Sequence, residues 1–244
     1  MLNFSLGSAF PGKSVEDAMG LASGIQEVPV LGEIGLDHVQ ICPQNYKGGV
    51  MGLARLQALQ TAYPNTQFRF HANVRILEKG CQYDLGTADQ FPEYTEKLVE
   101  SLDYLGQPYS LHAAENGRPL ASQIKVAKQL SAQAGVPVAI EGLYPGHRNN
   151  TLATWADWER LLEMEASYAL DFSHMNIILS QSGGPVPVKL MEDLLASPNC
   201  LEIHFSGNNG ERDSHQVCQD DEWWLDFLPL IRDETVCFYE GRTR

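Results

Sequence analysis

The chain has 244 residues, of which 43% are hydrophobic and 20% are charged. This composition is typical of a folded globular protein and excludes a mostly disordered chain. The length allows a sizeable core without disulfides or a structural metal, in one large domain or two small ones. The formal net charge of −14 gives no global attraction to nucleic acid, although a local basic rim or bound cations can reverse the field at one site.

The sequence also indicates the cellular location of the protein. No run approaches the roughly 18 consecutive apolar residues of a membrane span. Residues 1–5 lack a basic region followed by an apolar block, so we expect no signal peptide. The 5 cysteines are scattered, odd in number and without a CxxC pair. They are typical of reduced thiols and predict a cytoplasmic protein.

Short apolar, β-branched and aromatic runs alternate along the chain with segments of helical period. The runs predict eight strands, at residues 3–8, 37–42, 67–76, 109–114, 137–142, 167–173, 200–206 and 235–240. The segments between them predict seven helices, at residues 14–27, 51–62, 89–105, 119–134, 153–164, 186–196 and 220–231. Ser14 and Thr154 are suited to open the first and fifth of these helices.

Strict alternation predicts parallel strands joined by right-handed crossovers. Eight strands in a chain of this length are typical of a (β/α)₈ TIM barrel. A doubly wound sheet is the alternative, but residues 7–12 after the first strand read GSAFPG and not GxGxxG. Only four residues follow the last predicted strand. We therefore expect no eighth helix, and a barrel wall between the first and seventh helices that is uncovered or covered by a second subunit, as in a homodimer.

Side chains that bind metals collect at the ends of the predicted strands, where barrel enzymes carry their chemistry. Nine of them follow strands three to eight: His71, His112, Glu141, Asp171, His174, His204, Asp213, His215 and Glu240. Imidazole and carboxylate groups are ligands of zinc, iron and manganese. Nine groups exceed what one ion can use, and buried carboxylates without cations would repel each other. The pattern therefore predicts a site with two or three ions, whereas each histidine taken alone is more typical of a structural residue.

In chain order these motifs resemble those of the xylose-isomerase-like TIM barrels, and most of all the endonuclease IV branch. The matching motifs are His71-Ala72-Asn73, His112, Glu141, the D-x-x-H of Asp171 and His174, His204, the D-x-H of Asp213 and His215, and Glu240. The resemblance covers nearly the whole chain and implies one such domain over residues 1–244. Val74 and Arg75 stand where that branch has a Tyr that inserts into DNA, so nucleic acid is not the expected partner.

The resemblance implies three zinc ions and phosphodiester cleavage. His71, His112 and Glu141 would hold the first ion, and His174, Asp213 and His215 the third. The second would lie between Glu141, Asp171, His204 and Glu240, with Glu141 bridging the first two. Zinc is the first candidate, and manganese and iron stay open.

Two other branches of the superfamily fit parts of the pattern. Sugar isomerases and epimerases hold one or two Mn²⁺ or Mg²⁺ ions with a Glu-Asp-His-Glu set, which corresponds to Glu141, Asp171, His204 and Glu240. In that function Glu141 and Glu240 would be catalytic and move protons at a sugar carbon. Residues 202–207 and the D-x-H that follows them resemble a motif of the multinuclear non-haem iron oxidases, which modify peptide cysteines. A barrel that only binds its ligand is the non-catalytic alternative.

Two further features are ambiguous in the sequence. His147 and Arg148 follow strand five on the expected active face and could contact an anionic substrate, or belong to a solvated loop. Glu202 shares a strand face with His204, so it either supports that ligand or lies on the surface. The sequence as a whole predicts a metal-dependent enzyme, an isomerase or epimerase or a phosphoester hydrolase, that acts on a small polar substrate.

Overall fold

Parallel strands alternate with helices along the chain and form the wall of a barrel. A computed structural model describes residues 1–46, 51–71, 83–146 and 149–243. Its strands are β1 Leu2–Ser5, β2 Glu27–Val28, β3 Gly32–Ile41, β4 Gln67–Phe70, β5 Tyr109–His112, β6 Val138–Glu141, β7 Tyr168–Asp171, β8 Cys200–Phe205 and β9 Val236–Tyr239. Its α-helices are α1 Leu6–Ala9, α2 Val15–Ala22, α3 Leu53–Ala62, α4 Pro92–Leu105, α5 Leu120–Ala134, α6 Trp155–Glu163, α7 Phe172–Ser182 and α8 Val188–Ala196.

The strand pairings describe a (β/α)₈ barrel, which confirms the predicted fold. Seven wall strands follow the order β3-β1-β9-β8-β7-β6-β5, β4 pairs with the free side of β3, and all of these pairings are parallel. A parallel bridge between His71 and Ser110 joins β4 to β5 and closes the ring. β2 pairs antiparallel with the start of β3 outside this ring. No helix follows β9 as far as Thr243, the last described residue, as predicted; its cover by a second subunit stays a prediction.

Local sequence sets where several helices begin and end. The Ser14 hydroxyl accepts a hydrogen bond from Asp17 N at 3.1 Å, and the Thr154 hydroxyl accepts one from Asp157 N at 3.2 Å. Both side chains satisfy amides that have no partner within the helix, so the two predicted helix starts are confirmed. α5 ends at Gly135, whose φ of 67° is a left-handed conformation that glycine adopts without steric cost.

Some predicted elements differ from the observed ones. The predicted helix at 220–231 is wrong: Leu225–Leu230 form a 3₁₀ helix with Pro229 inside it, and proline lacks the N–H that an α-helix needs and clashes with the preceding turn. The first predicted strand ends at Ser5, because Leu6–Ala9 already form a helical turn. The sequence analysis also missed α7, which begins directly after β7. The end of the predicted strand 67–76 lies outside the described residues.

The barrel interior holds charged side chains below the carboxyl ends of its strands. Arg69 and Glu202 form a buried ion pair of 3.1 Å, and each lies two residues before a histidine at the strand end, so they point into the barrel one layer below His71 and His204. Apolar side chains of the helices cover the outside of the wall, among them Trp158. None of the helices in the described ranges is long and apolar enough to cross a membrane.

Candidate metal centre

The nine predicted ligands converge at the carboxyl ends of the strands. A cavity of about 430 Å³ opens there, and eight of the nine line it: His71, His112, Glu141, Asp171, His174, Asp213, His215 and Glu240. The ninth, His204, is fully buried beneath the opening. His147 and Arg148, the predicted substrate contacts, lie outside the described residues, as do Ala72 and Asn73 of the histidine motif.

Glu141, at the end of β6, lies at the centre of this arrangement. Its Oε2 is 3.2 Å from His71 Nδ1, and its Oε1 is 3.5 Å from His112 Nε2 and 3.4 Å from His204 Nδ1. Burial raises the pKa of Glu141, but the charges of His71, His112 and His204 outweigh burial and hold that pKa well below its usual range. The carboxylate therefore stays ionised and is placed to be shared between neighbouring cations.

Strand register brings most of these groups together. His112 is paired with Glu141 across β5 and β6, and Asp171 with His204 across β7 and β8. Ligand atoms of three trios lie within 4.8 Å of one another: His71, His112 and Glu141; Glu141, Asp171 and His204; and His71, His204 and Glu240. We call these six residues the strand-end groups. They match the first two ligand sets that the sequence resemblance implied.

Orphaned atoms in the strand-end groups fit a cation. His204 Nδ1 and Glu240 Oε1 are buried and have no hydrogen-bond partner among the described residues, although they lie 3.9 Å apart. A buried polar atom without a partner is costly. A cation bound between the imidazole nitrogen and the carboxylate oxygen would satisfy both atoms, so the residues present fit a metal site.

The remaining three ligands, His174, Asp213 and His215, form a separate loop group. Asp213 Oδ2 lies 3.6 Å from His174 Nε2 and 3.1 Å from His215 Nε2. His215 adopts a left-handed φ of 46°, which costs a non-glycine residue about 1–3 kcal/mol. This conformation also places His215 Nδ1 at 3.5 Å from Glu240 Oε2, so the loop group adjoins the strand-end groups.

His174 presents a defined nitrogen to the site. Its Nδ1 lies 2.7 Å from the carbonyl oxygen of Gly142, and a carbonyl only accepts hydrogen bonds, so Nδ1 carries a proton. Nε2 faces Asp171 Oδ2 at 3.5 Å. Burial lowers the pKa of His174, but the charge of Asp171 and the hydrogen bond to Asp213 outweigh burial and hold that pKa well above its usual range. A bound cation would take the place of the Nε2 proton. Asp171 Oδ1 accepts hydrogen bonds from Ser173 N and His174 N and so caps α7. One carboxylate therefore begins the helix and faces the metal centre.

Burial and mutual charge perturb the two aspartates in opposite directions. Burial raises the pKa of Asp171 to about 6, against the opposing charge of His174. Burial also acts on Asp213, but the hydrogen bond from His174 and the charge of His215 hold the pKa of Asp213 below its usual range. Bound cations would favour the ionised form of both carboxylates.

Glu202 lies inside the barrel beneath His204. Its Oε2 is 3.4 Å from His204 Nε2 and accepts a hydrogen bond from Gln40 Nε2 at 3.0 Å, while its Oε1 accepts from Arg69 at 3.1 Å. Of the two placements that the sequence left open, the inward one is therefore correct. The contact orients the His204 ring so that Nδ1 faces Glu141 and Glu240.

Several other cavity residues could not be identified from the sequence. Ser8, Gln44, Tyr144 and Asn150 line the opening, and the Tyr144 ring lies 4.9 Å from the His174 ring, centroid to centroid. These residues are spread along the chain and carry no motif. Their position depends on the closed barrel and gives no signal in a single sequence.

Comparisons with known proteins give matches in structure only. No family model matches the sequence, and no curated protein matches it. A D-tagatose 3-epimerase-like protein superimposes with a TM-score of 0.69 at 14% identity, over 100% of this chain and 92% of its own. A xylose isomerase domain containing protein from Salmonella typhimurium gives a TM-score of 0.64 at 13% identity, over 98% of this chain and 87% of its own. Endonuclease IV from Thermus thermophilus gives a TM-score of 0.60 at 18% identity, over 100% of this chain and 91% of its own.

The three structures share one fold with this chain. All belong to the xylose-isomerase-like TIM barrels, so the chain has the fold of that superfamily. The resemblance found in the sequence motifs is thus confirmed for the fold. The matches extend over 98–100% of this chain and 87–92% of the other chains.

Proposed function

We propose that this chain is a metal-dependent phosphoester hydrolase with a three-ion centre, acting on a small polar substrate. The observation that carries the proposal is the convergence of three imidazole–carboxylate trios on one cavity, with Glu141 shared between two of them. The loop group adds three ligands that a site with a single ion would not need.

The ligand sets follow from proximity. His71, His112 and Glu141 would hold one ion, Glu141, Asp171, His204 and Glu240 the second, and the loop group the third. Mixed nitrogen and carboxylate ligands suit zinc, with manganese or iron as alternatives. Bound divalent cations would stabilise charge on a phosphoryl oxygen and on the leaving group, and would lower the pKa of water.

The chain itself supplies binding and orientation. The cavity of about 430 Å³ matches a small molecule rather than a polymer. Leu143 and Tyr144 form an apolar side of the opening, and Ser8, Gln44 and Asn150 offer polar contacts. The net charge of −14 argues against DNA as the substrate because phosphate backbones are repelled by an acidic surface.

A sugar isomerase or epimerase is the second candidate. Glu141 and Glu240 both approach His204, at 3.4 and 3.9 Å, and such a pair could remove and return a proton at a sugar carbon. The match to a protein described as D-tagatose 3-epimerase-like, with a TM-score of 0.69, supports this candidate. In this function His71 and His112 would contact the substrate, and the loop group would bind no metal.

Elemental analysis of protein prepared without a chelating tag separates the candidates. We expect about three zinc ions per chain, and cleavage of small phosphoesters that a chelator stops and zinc restores. One or two manganese ions with sugar epimerisation would establish the second candidate instead. Iron with visible absorption would indicate an oxidase, and protein without stoichiometric metal would indicate a binding barrel; either result would overturn the proposal.

A further inference from the structure

Two polar residues that are not among the nine ligands adjoin the loop group. Ser173 lies in the first turn of α7 and is 1% exposed. Asn208 lies in the loop that follows β8. Both take part in a chain of hydrogen bonds that ends at Asp213. The donor and acceptor of each bond follow from the types of atom involved.

The amide of Asn208 has one orientation. Its Oδ1 accepts hydrogen bonds from Gly210 N at 2.7 Å and from Asn176 Nδ2 at 2.9 Å. The backbone N–H of Gly210 only donates and the backbone carbonyl of Ser173 only accepts, so the oxygen of Asn208 faces Gly210 and its Nδ2 faces Ser173. Asn208 Nδ2 lies 2.6 Å from both the carbonyl oxygen and the hydroxyl oxygen of Ser173.

The hydroxyl of Ser173 is therefore directed as well. An amide nitrogen donates, so Ser173 Oγ accepts from Asn208 and its own proton points elsewhere. Asp213 Oδ1, a carboxylate oxygen, lies 3.0 Å from Ser173 Oγ and accepts this proton. The chain of donors runs from Asn176 through Asn208 and Ser173 to Asp213.

This chain leaves one oxygen of Asp213 for the metal centre. With Oδ1 held by Ser173, Oδ2 faces His174 Nε2 and His215 Nε2 at 3.6 and 3.1 Å. Ser173 also donates its backbone N–H to Asp171 Oδ1 at 2.7 Å. A single serine thus orients both aspartates that face His174.

We propose that Ser173 and Asn208 are positioning residues that orient Asp213 and so build the third metal subsite. The inference rests on the proposed three-ion centre. Residues that orient a ligand through hydrogen bonds typically change metal affinity about 10- to 100-fold when they are removed. Of the strand-end groups, Asp171 alone is hydrogen-bonded to this donor chain, through the Ser173 backbone, so the first two ions are expected to keep their affinity.

The test is a zinc titration against a competing chelator, which resolves the dissociation constant of each ion. In Ser173→Ala we expect the third ion to bind about 10- to 100-fold more weakly and the other two to be unchanged. Ser173→Thr keeps the hydroxyl and should restore binding. Ser182→Ala is the matched control, because Ser182 ends the same helix and its exposed hydroxyl donates to Leu179 O, away from the site.

The variant Asn208→Asp separates the hydrogen-bond role of Asn208 from a direct effect of charge on cation binding. A carboxylate in place of the amide would draw the Ser173 proton away from Asp213 and weaken the third ion, whereas added negative charge alone would strengthen cation binding. In the Ser173→Ala background, Asn208→Asp should no longer weaken binding, because both act through one hydroxyl.

Each alternative result contradicts either the positioning role of Ser173 or the proposed three-ion centre. If the wild type binds three ions and Ser173→Ala binds all three unchanged, the positioning role is wrong and the proposed function stands. Equal weakening of every ion, with a lower thermal midpoint, would mark a folding defect and also refute the positioning role. If the wild type binds fewer than three ions, the proposed three-ion centre fails, and the role of Ser173 fails with it.

Discussion

The strand-end groups and the loop group present the same chemistry on very different supports. Among the strand-end groups, the side chains of Glu141, His204 and Glu240 are at most 3% exposed and that of His112 is 16% exposed. In the loop group, the side chains of Asp213 and His215 are 15% and 24% exposed, and that of His174, on α7, is 6% exposed. The first set is fixed by the register of neighbouring parallel strands, which the whole barrel maintains. The second set depends on side-chain hydrogen bonds and on one strained backbone position.

The comparison indicates which part of the site is robust. Ligands on strands keep their geometry as long as the barrel is folded, since moving one of them would disturb the core. Ligands on a loop can rearrange with a local opening. We therefore expect the third ion to leave first when metal is withdrawn.

Replacement of Glu141 should have the largest effect. Because Glu141 contacts three imidazoles and belongs to two ligand trios, Glu141→Gln should lower the zinc content from about three ions to about one, with the loop group still loaded. Inductively coupled plasma mass spectrometry measures this directly. Glu163→Gln, at the exposed end of α6, is the control. If Glu141→Gln keeps the two ions of the strand-end groups, the proposed difference between the strand-end groups and the loop group is wrong.

Replacement of His174 should remove a single ion. His174→Ala takes away the nitrogen that faces both Asp171 and Asp213, so the zinc content should fall from about three ions to about two. His38→Ala is the control, since His38 lies in β3 and is not among the nine ligands. Unchanged metal content in His174→Ala would eliminate the three-ion centre and favour the isomerase candidate.

A smaller effect is expected at Gly142, which follows Glu141 and accepts the His174 hydrogen bond. A Cβ at Gly142 would overlap Cζ2 of the buried Trp158 ring, so the ring or the backbone would have to shift. Gly142→Ala should lower the free energy of unfolding by about 1–3 kcal/mol through overpacking, measured by urea denaturation.

Gly20→Ala is the matched control for Gly142→Ala. Gly20 lies within α2, and a Cβ there meets nothing within 4 Å. Because alanine is the better helix former, this change should raise stability by about 0.5–1 kcal/mol. Equal stability of the two variants would show that Trp158 adapts, and that Gly142 is not required by packing.

The sequence predicted the features that follow from hydrophobic periodicity and from the positions of the strand ends. Alternating runs predicted the barrel. Because all parallel strands point their carboxyl ends one way, the nine predicted ligands could be placed at one mouth without coordinates. α7 was missed because Asp171, Ser173 and His174 were assigned to a strand end and a metal motif. The same aspartate is also an N-cap, which its position before Phe172 permits.

The sequence could not predict the donor chain to Asp213. Serine and asparagine are common in loops of every kind, and Asn208 reaches Ser173 across 35 positions of the chain. Its effect depends on which atom donates, and this follows only when the partners of both amide atoms are known. The sequence thus predicted which side chains gather at the strand ends, but not how hydrogen bonds orient them.

The dual use of Asp171 gives the molecule a built-in spectroscopic reporter. One oxygen of its carboxylate accepts hydrogen bonds from the amides of Ser173 and His174, and the other faces His174 Nε2 in the candidate metal centre. Any redistribution of electron density in that carboxylate when a cation arrives must therefore be felt by two backbone protons. Their nuclear magnetic resonance shifts and solvent-exchange rates would follow metal loading residue by residue, without a substrate or a chromophore.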